Sequence, residues 1–276
     1  YHSKISDYRR RIESYDFSII QVRDVAIDVA TEIFTRINVG GKALSVFEIM
    51  VAKTFDEEKG FDLSAEYERL IELLTTVNYE TVSDAILLQL ISLILTKDCK
   101  KQTILKLKKS EFIEKWPKVI DAFERAVEYF RHTYRIPVSK LLPYNTLLVP
   151  FAYFFYYHPD KPDTDQRAQL EDFFWRCSLG ARYSSSVESK LAQDIRRIDR
   201  ILKGRSPDYD WSIDISPEFL IENGWFNAGR SSIKAILCLY AYQQPKSFSD
   251  DAVVNTSNYW LKQANSKNYH HFFPRA

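Results

Sequence analysis

Two histidines stand side by side near the end of this 276-residue chain, in "NYHHFFPRA" (268–276). Adjacent side chains on a strand point to opposite faces, so one imidazole can hold a metal while the other reaches a water. A neutral imidazole suits a general base near neutral pH, and a divalent cation stabilises charge on a cleaved phosphodiester. A bare His-His pair also occurs as an incidental tail. His2, His132 and His158 have no comparable cluster around them.

A second stretch is "IFTRINVGGKALSVFEI" (33–49). Arg36 and Asn38 run into the Gly40-Gly41 turn, Lys42 follows, and a helix is expected to begin at Ser45. Paired glycines let backbone N–H groups approach a ligand, and a helix N-terminus favours an anion. Arg36 and Lys42 add positive charge to such a pocket. A plain helix–turn–helix corner explains the same residues. In "WRCSLGARYSSSVESK" (175–190), Arg176 and Arg182 flank Ser184 and Ser185, a pattern suited to phosphate contacts or to ordinary capping. In "KDCKKQTILKLKKS" (97–110), Lys100, Lys101, Lys106, Lys108 and Lys109 can track a nucleic-acid backbone. A solvated edge balanced by Asp98 and Glu111 is the alternative. "DIRRIDR" (194–200) interleaves both signs and predicts an exposed, salt-bridged face.

The elements that must carry these residues are mostly helical. Apolar spacing predicts helices near 64–77, 83–96, 110–133, 146–157, 165–179, 186–203 and 231–243. Ser45-x-x-Glu48 and Ser185-x-x-Glu188 have capping-box form, and Ser216-Pro217 marks another start. Gly180 and Gly204 stand where helices end, and Gly224 would close the Pro217 helix. "FSIIQV" (17–22) has strand character, followed by a helical pattern through Ala26, Ala30, Ile33, Phe34 and Ile37. "GRSPDYDWS" (204–212) is polar and turn-rich and is the expected boundary before the last seventy residues.

Composition sets limits. Lys plus Arg number 38 against 37 Asp plus Glu, a net charge of +1, so a polyanion must be held by a local patch. Cys99, Cys177 and Cys238 are odd in number and lack CxxC spacing, which excludes a disulfide framework and a zinc cage of that type. Three buried or half-buried thiols in a reducing cytoplasm are expected. The start "YHSKISDYRRRIESYDF" lacks an apolar signal core, and "LLVPFAYFFYY" (147–157) is too short to span a bilayer and predicts a buried helix. The chain does not open on Met, which leads us to expect a piece of something longer.

Taken in order, the stretches resemble one family. "IFTRINVGGKALSVFEI" is similar to the F-x-R-x-N-x-G-G-x-x-L-S signature of the GmrS-like domain of GmrSD-type, modification-dependent restriction enzymes. "LPYNTLLVPFAYFF" (142–155) and "FFWRCSLGARYSSSVESKLAQDI" (173–195) resemble later stretches of that family, and "NYHHFFPRA" resembles the opening of its GmrD-like HNH nuclease domain. The resemblance implies a mainly α chain with a multi-helix bundle body. A remnant of an α+β, ParB-like domain would lie at the N-terminus and the start of an HNH (ββα-metal) segment at the C-terminus. The implied domains are 1–60, nucleotide-binding; 61–204, the helical middle; and 205–276, linker helices and the nuclease start.

By position, Arg36, Asn38, Gly40 and Gly41, with Lys42 beside them, inherit a place near nucleotide phosphates. His270 inherits a metal-ligand role for Mg²⁺ or a similar ion, and His271 the role of general base. Arg176, Arg182, Ser184, Ser185, Lys106, Lys108 and Lys109 are the expected DNA contacts. The expected partners are a nucleoside triphosphate and DNA, including modified phage DNA, with a homo-oligomer compatible and no membrane. The family's Asp-Gly-Gln-Gln-Arg run and the later HNH ligands have no match within 1–276. Half of each active site is therefore expected here, and the chain alone is expected to be inactive. A non-catalytic DNA- or protein-binding helical scaffold is the alternative.

Overall fold

A computed structural model describes residues 2–16, 44–223, 229–254 and 256–258, together with Ile19, Gln21, Arg23, Val25, Val29 and Ile33. The Gly40-Gly41 turn with Arg36, Asn38 and Lys42, the "FSIIQV" strand as a unit, Gly224, and the His270-His271 pair lie outside the described residues. The chain is mainly helical, 64% helix and 2% strand. Among the described residues, β pairing is confined to the isolated bridges Asp56–Phe61 and Lys246–Val253.

The chain divides into two compact units, Tyr1–Leu44 and Ser45–Ala276. The first contains α1 (His2–Glu13), whose face carries Arg9–Glu13 and Arg10–Asp7 pairs at 2.7 and 3.1 Å. Both pairs are exposed, so each is worth only about 0.3–0.5 kcal/mol.

The second unit starts on the Ser45 capping box predicted from sequence. Ser45 Oγ accepts from Glu48 N at 3.1 Å, and Ser45 N donates to the Glu48 carboxylate at 2.6 Å. There follow α2 (Val46–Thr54), α3 (Leu63–Thr76), α4 (Asp84–Thr96), the single turn α5 (Lys101–Ile104) and the long α6 (Lys109–His132). Then come α7 (Leu148–Tyr157), α8 (Thr164–Leu179), α9 (Val187–Leu202), α10 (Pro217–Asn223) and α11 (Ser231–Tyr242). The expected first domain ended at residue 60. In the structure α2, which lies within that range, packs on α3, α4 and α6.

Two helices occupy the interior because their sequences leave no polar face. In α4, "DAILLQLISLILT" buries Ile86, Leu87, Leu88, Leu90, Ile91, Leu93 and Ile94. In α7, every residue from Leu148 to Tyr156 is buried against α6, α4 and α9, as the apolar run predicted. Among the described residues no helix is long and apolar enough to cross a membrane. Aromatic rings bind these layers, with Phe130 and Phe151 centroids 4.6 Å apart and those of Tyr134 and Phe174 4.9 Å apart. Asn258 closes the unit: its buried amide donates to Asn78 O at 2.8 Å and Ser139 Oγ at 3.0 Å.

The cysteines are free and buried. Burial pushes the thiols of Cys99 and Cys238 up to about 12, and that of Cys177 well above its ordinary value. A raised thiol pKa favours the protonated folded state. Its contribution is complete below the unfolded pKa and is lost as pH rises toward the folded one. Cys99 alone is expected to remove about 1.4 kcal/mol of stability per pH unit above roughly pH 9. Urea midpoints measured from pH 8 to 11 should fall less steeply in Cys99→Ala than in the unaltered chain; parallel slopes would exclude this contribution.

Candidate nucleic-acid interface

The α8–α9 junction gathers four residues predicted to contact DNA, and it does so around a charge that faces inward. Asp163 caps α8 through a reciprocal pair with Gln166, at 2.8 and 3.1 Å. The helix runs to Gly180, and Ala181 then turns the chain in the left-handed region at φ 48°. Arg182–Ser184 form one 3-10 turn, and Ser186, also left-handed at φ 50°, starts α9. The predicted Ser185–Glu188 capping box is not formed: Ser185 is extended, and the N-cap residue Ser186 makes no side-chain cap bond. The two left-handed residues turn the chain one position later than the capping pattern implied.

Arg182 is 7% exposed and Asp194 is completely buried. The guanidinium meets both carboxylate oxygens, Nε to Oδ2 at 3.2 Å and Nη2 to Oδ1 at 3.1 Å, and also donates to Gln193 Oε1 at 2.7 Å. Tyr183 OH donates to Asp194 Oδ2 at 2.9 Å, and Arg197 Nη1 to Oδ1 at 2.8 Å. A single carboxylate thus accepts from three side chains. Burial pushes the Asp194 carboxyl up from its ordinary range, and the bonds and charges of Arg182, Tyr183 and Arg197 oppose that push. Burial likewise raises the Tyr183 phenol well above its ordinary value.

The 194–200 run was expected to be an exposed face. It is instead half internal, because Asp194 lies on the buried stripe of α9 with Leu191, Ile195, Ile198 and Ile201. Arg196 remains exposed. Asp199 accepts from Tyr153 OH at 2.8 Å and pairs with Lys97 at 3.0 Å.

Residues 205–211, expected as a boundary, lie across this junction. Gly204, left-handed at φ 64°, releases the chain from α9, and the alternation of Asp208, Tyr209, Asp210 and Trp211 then sorts carboxylates from rings. Arg197 donates to Asp208 O at 2.8 Å and to Asp210 Oδ1 at 2.5 Å, and Arg200 pairs with Asp208. The Trp211 ring lies beneath two guanidiniums, Arg182 at 4.1 Å and Arg197 at 4.8 Å, while Arg176 covers Tyr209 at 4.6 Å. Each such desolvated contact contributes about 1–2 kcal/mol. Sequence reasoning missed Asp194 and the 208–211 residues, though the Asp-aromatic alternation was a usable signal.

Gly180 has a negative φ of −80°, so the glycine answers close approach instead of handedness. A Cβ there would stand 2.7 Å from Arg176 O and 2.9 Å from the Trp211 ring. Gly180→Ala is expected to cost about 1–3 kcal/mol by overpacking. Urea unfolding checks this, and the cost should shrink in a Trp211→Ala background; an undiminished cost would assign the clash to Arg176 O alone.

The outward groups are fewer than the sequence suggested. Ser184 and Ser185 are exposed, and Lys190 Nζ reaches Ser185 Oγ at 3.4 Å. Arg176 is held by Asp172 at 2.8 Å. In the lysine run, Lys108 pairs with Glu111 at 3.0 Å and Lys109 with Asp56 at 3.2 Å. Asp98 bonds Thr103 instead of a lysine. Lys100, Lys101 and Lys106 are exposed. One contact draws the start of this run toward the serines: the Cys99 thiol lies 3.5 Å from Glu188 O in the first turn of α9. Among the described residues no cluster of three or more His, Cys, Asp or Glu is placed to hold a metal ion.

No family model and no solved structure matches the chain. Among curated proteins it is similar to the uncharacterized protein MJ0686 of Methanocaldococcus jannaschii, 24% identical over 262 residues. That match covers 88% of this chain and 42% of the relative, so the chain spans less than half the length of the protein it resembles.

Proposed function

We propose that this chain is the central part of a GmrSD-type, nucleotide-regulated DNA restriction enzyme of phage defence, working in the cytoplasm. The ordered run of four family-like stretches supports the reading. Its best structural support is the Cys99–Glu188 contact, which joins the start of the 97–110 run to the first turn of α9, just after Ser185 in sequence.

In the complete protein, Arg36, Asn38, Gly40, Gly41 and Lys42 hold a nucleoside triphosphate whose binding licenses cleavage. Backbone N–H groups and two cations suit that role. Ser184, Ser185, Lys106, Lys108, Lys109 and the free edge of Arg176 hold the DNA backbone, and Arg182 stiffens the turn that presents the serines. His271 takes a proton from the attacking water, while His270 contributes to the metal site. A divalent cation would supply charge stabilisation at the cleaved phosphodiester. The complete protein is expected to cut modified phage DNA, and to do so only with nucleotide and a divalent cation present. Cleavage indifferent to nucleotide, or none on any modified substrate, would reject the reading.

The second reading, a non-catalytic DNA- or protein-binding scaffold, is favoured by the internal neutralisation of Arg182 and Arg197. Filter binding across a salt series distinguishes the two. A steep salt slope without cleavage by the complete protein supports the scaffold.

A further inference from the structure

Away from the α8–α9 junction, the second half of α6, the 158–162 loop and the start of α8 surround a cleft of about 530 Å³. A smaller hollow of about 310 Å³ adjoins it beside α11, with Thr133 and Arg167 lining both. The larger volume lies in the ordinary range for small-molecule sites.

Aromatic rings form the inner wall. Tyr129 and Phe155 lie 5.4 Å apart between centroids in the cleft, while Tyr134 and Phe174, 4.9 Å apart, line the adjoining hollow. Basic side chains line the cleft: Arg125, His132, Lys161 and Arg167. Arg125 is committed to Asp121 at 2.9 Å and Pro159 O at 3.1 Å. Arg167 is exposed, lines the aromatic wall, and has no ion-pair partner among the described residues. Glu128 and Asp160 also face the space, so the net positive charge is modest.

The phenols supply the second observation. The buried hydroxyls of Tyr129 and Tyr134 interact with each other and reach no further partner, so with Tyr134 donating, the Tyr129 proton is left without an acceptor. A buried polar group without a partner costs roughly 1–3 kcal/mol, which a ligand atom accepting the bond would relieve. Burial raises both phenols above their ordinary values, so both remain protonated donors at neutral pH.

We propose that this cleft binds a nucleoside monophosphate, its base against the Tyr129–Phe155 wall and its phosphate on Arg167. The wall selects a planar ring, because stacking needs a π face and is tolerant of base identity. A guanidinium without a partner selects an oxyanion that it can grip with two parallel bonds. Glu128 and Asp160 disfavour a longer polyphosphate, and the volume exceeds what a free phosphate fills. The Tyr129 hydroxyl donates to a ring nitrogen or carbonyl acceptor of the base. This place is separate in sequence from residues 36–42, and the proposal does not depend on the restriction-enzyme reading.

Calorimetric titration of the 276-residue chain with AMP, ribose 5-phosphate and adenosine is the test. AMP is expected to bind, with the sugar phosphate and the nucleoside each about 10-fold weaker or worse. Arg167→Ala should weaken AMP by about 10-fold or more, and Tyr129→Phe by several-fold with the ring kept in place. Arg167 is exposed and makes no ion pair, so that variant should stay folded; its circular dichroism should match the unaltered chain. Absence of AMP binding at millimolar concentration overturns the proposal. So does binding that Arg167→Ala leaves unchanged, which would put the nucleotide elsewhere, residues 36–42 included.

Discussion

Asp194→Ala is expected to destabilise the body by about 3–5 kcal/mol, because it strips the buried guanidiniums of Arg182 and Arg197 of the buried anion they share. Asp194 is wholly buried, and Arg182 and Arg197, which donate to it, have side chains only 7% and 11% exposed. Removing the carboxylate also strips the Tyr183 hydroxyl of its acceptor at 2.9 Å. The effect should spread, since the same two guanidiniums hold Trp211 and, through Arg197, Asp208 and Asp210. Urea unfolding followed by circular dichroism gives the size of the loss, and limited proteolysis near 204–211 should show that segment released. Adding Arg182→Met to Asp194→Ala should recover part of the loss by removing one unpaired charge. A cost below about 1 kcal/mol would mean the cluster contributes little to the junction.

His271→Ala in the complete protein is expected to slow DNA cleavage by about 10²–10⁴-fold, the usual range for a lost general base. Nucleotide and DNA affinities should hold, because in the proposed role the residue acts on the attacking water and not on binding. His270→Ala should behave differently. If His270 is a metal ligand, its loss weakens the cation, and raised divalent concentration should restore part of the rate. A base left on imidazole also sets a sign: cleavage should fall as acid protonates the ring. Unchanged cutting by His271→Ala would remove it from the role of base, whatever the fate of the nucleotide-binding turn.

Much of the helical layout could be read directly. The Ser45 box, the Ser216-Pro217 start and the all-apolar "LVPFAYFFYY" run each depend on neighbours within about four residues, and each formed as predicted. Local rules misled where two local signals competed. The Ser185 box lost to the left-handed turn at Ala181 and Ser186, and the mixed-charge 194–200 run hid a buried stripe because α9 presents Asp194 on its apolar side. Gly180 was correctly placed at a helix end, but only the approach of Trp211 explains why it must be glycine.

By itself the sequence determined most of the helices of the second unit, where several begin and end, which are apolar enough to be interior, and that the three cysteines are not a CxxC cage. These properties are encoded in spacing along the chain, where side chains three or four positions apart share a face. The tertiary structure alone decided which charges face inward. Arg176, Arg182, Asp194, Arg197, Asp208 and Trp211 come from three separate segments, and nothing in their local spacing states that one carboxylate will neutralise two arginines. Burial supplies the reason: a charge taken out of water needs a partner, and which partner it meets depends on how the helices pack.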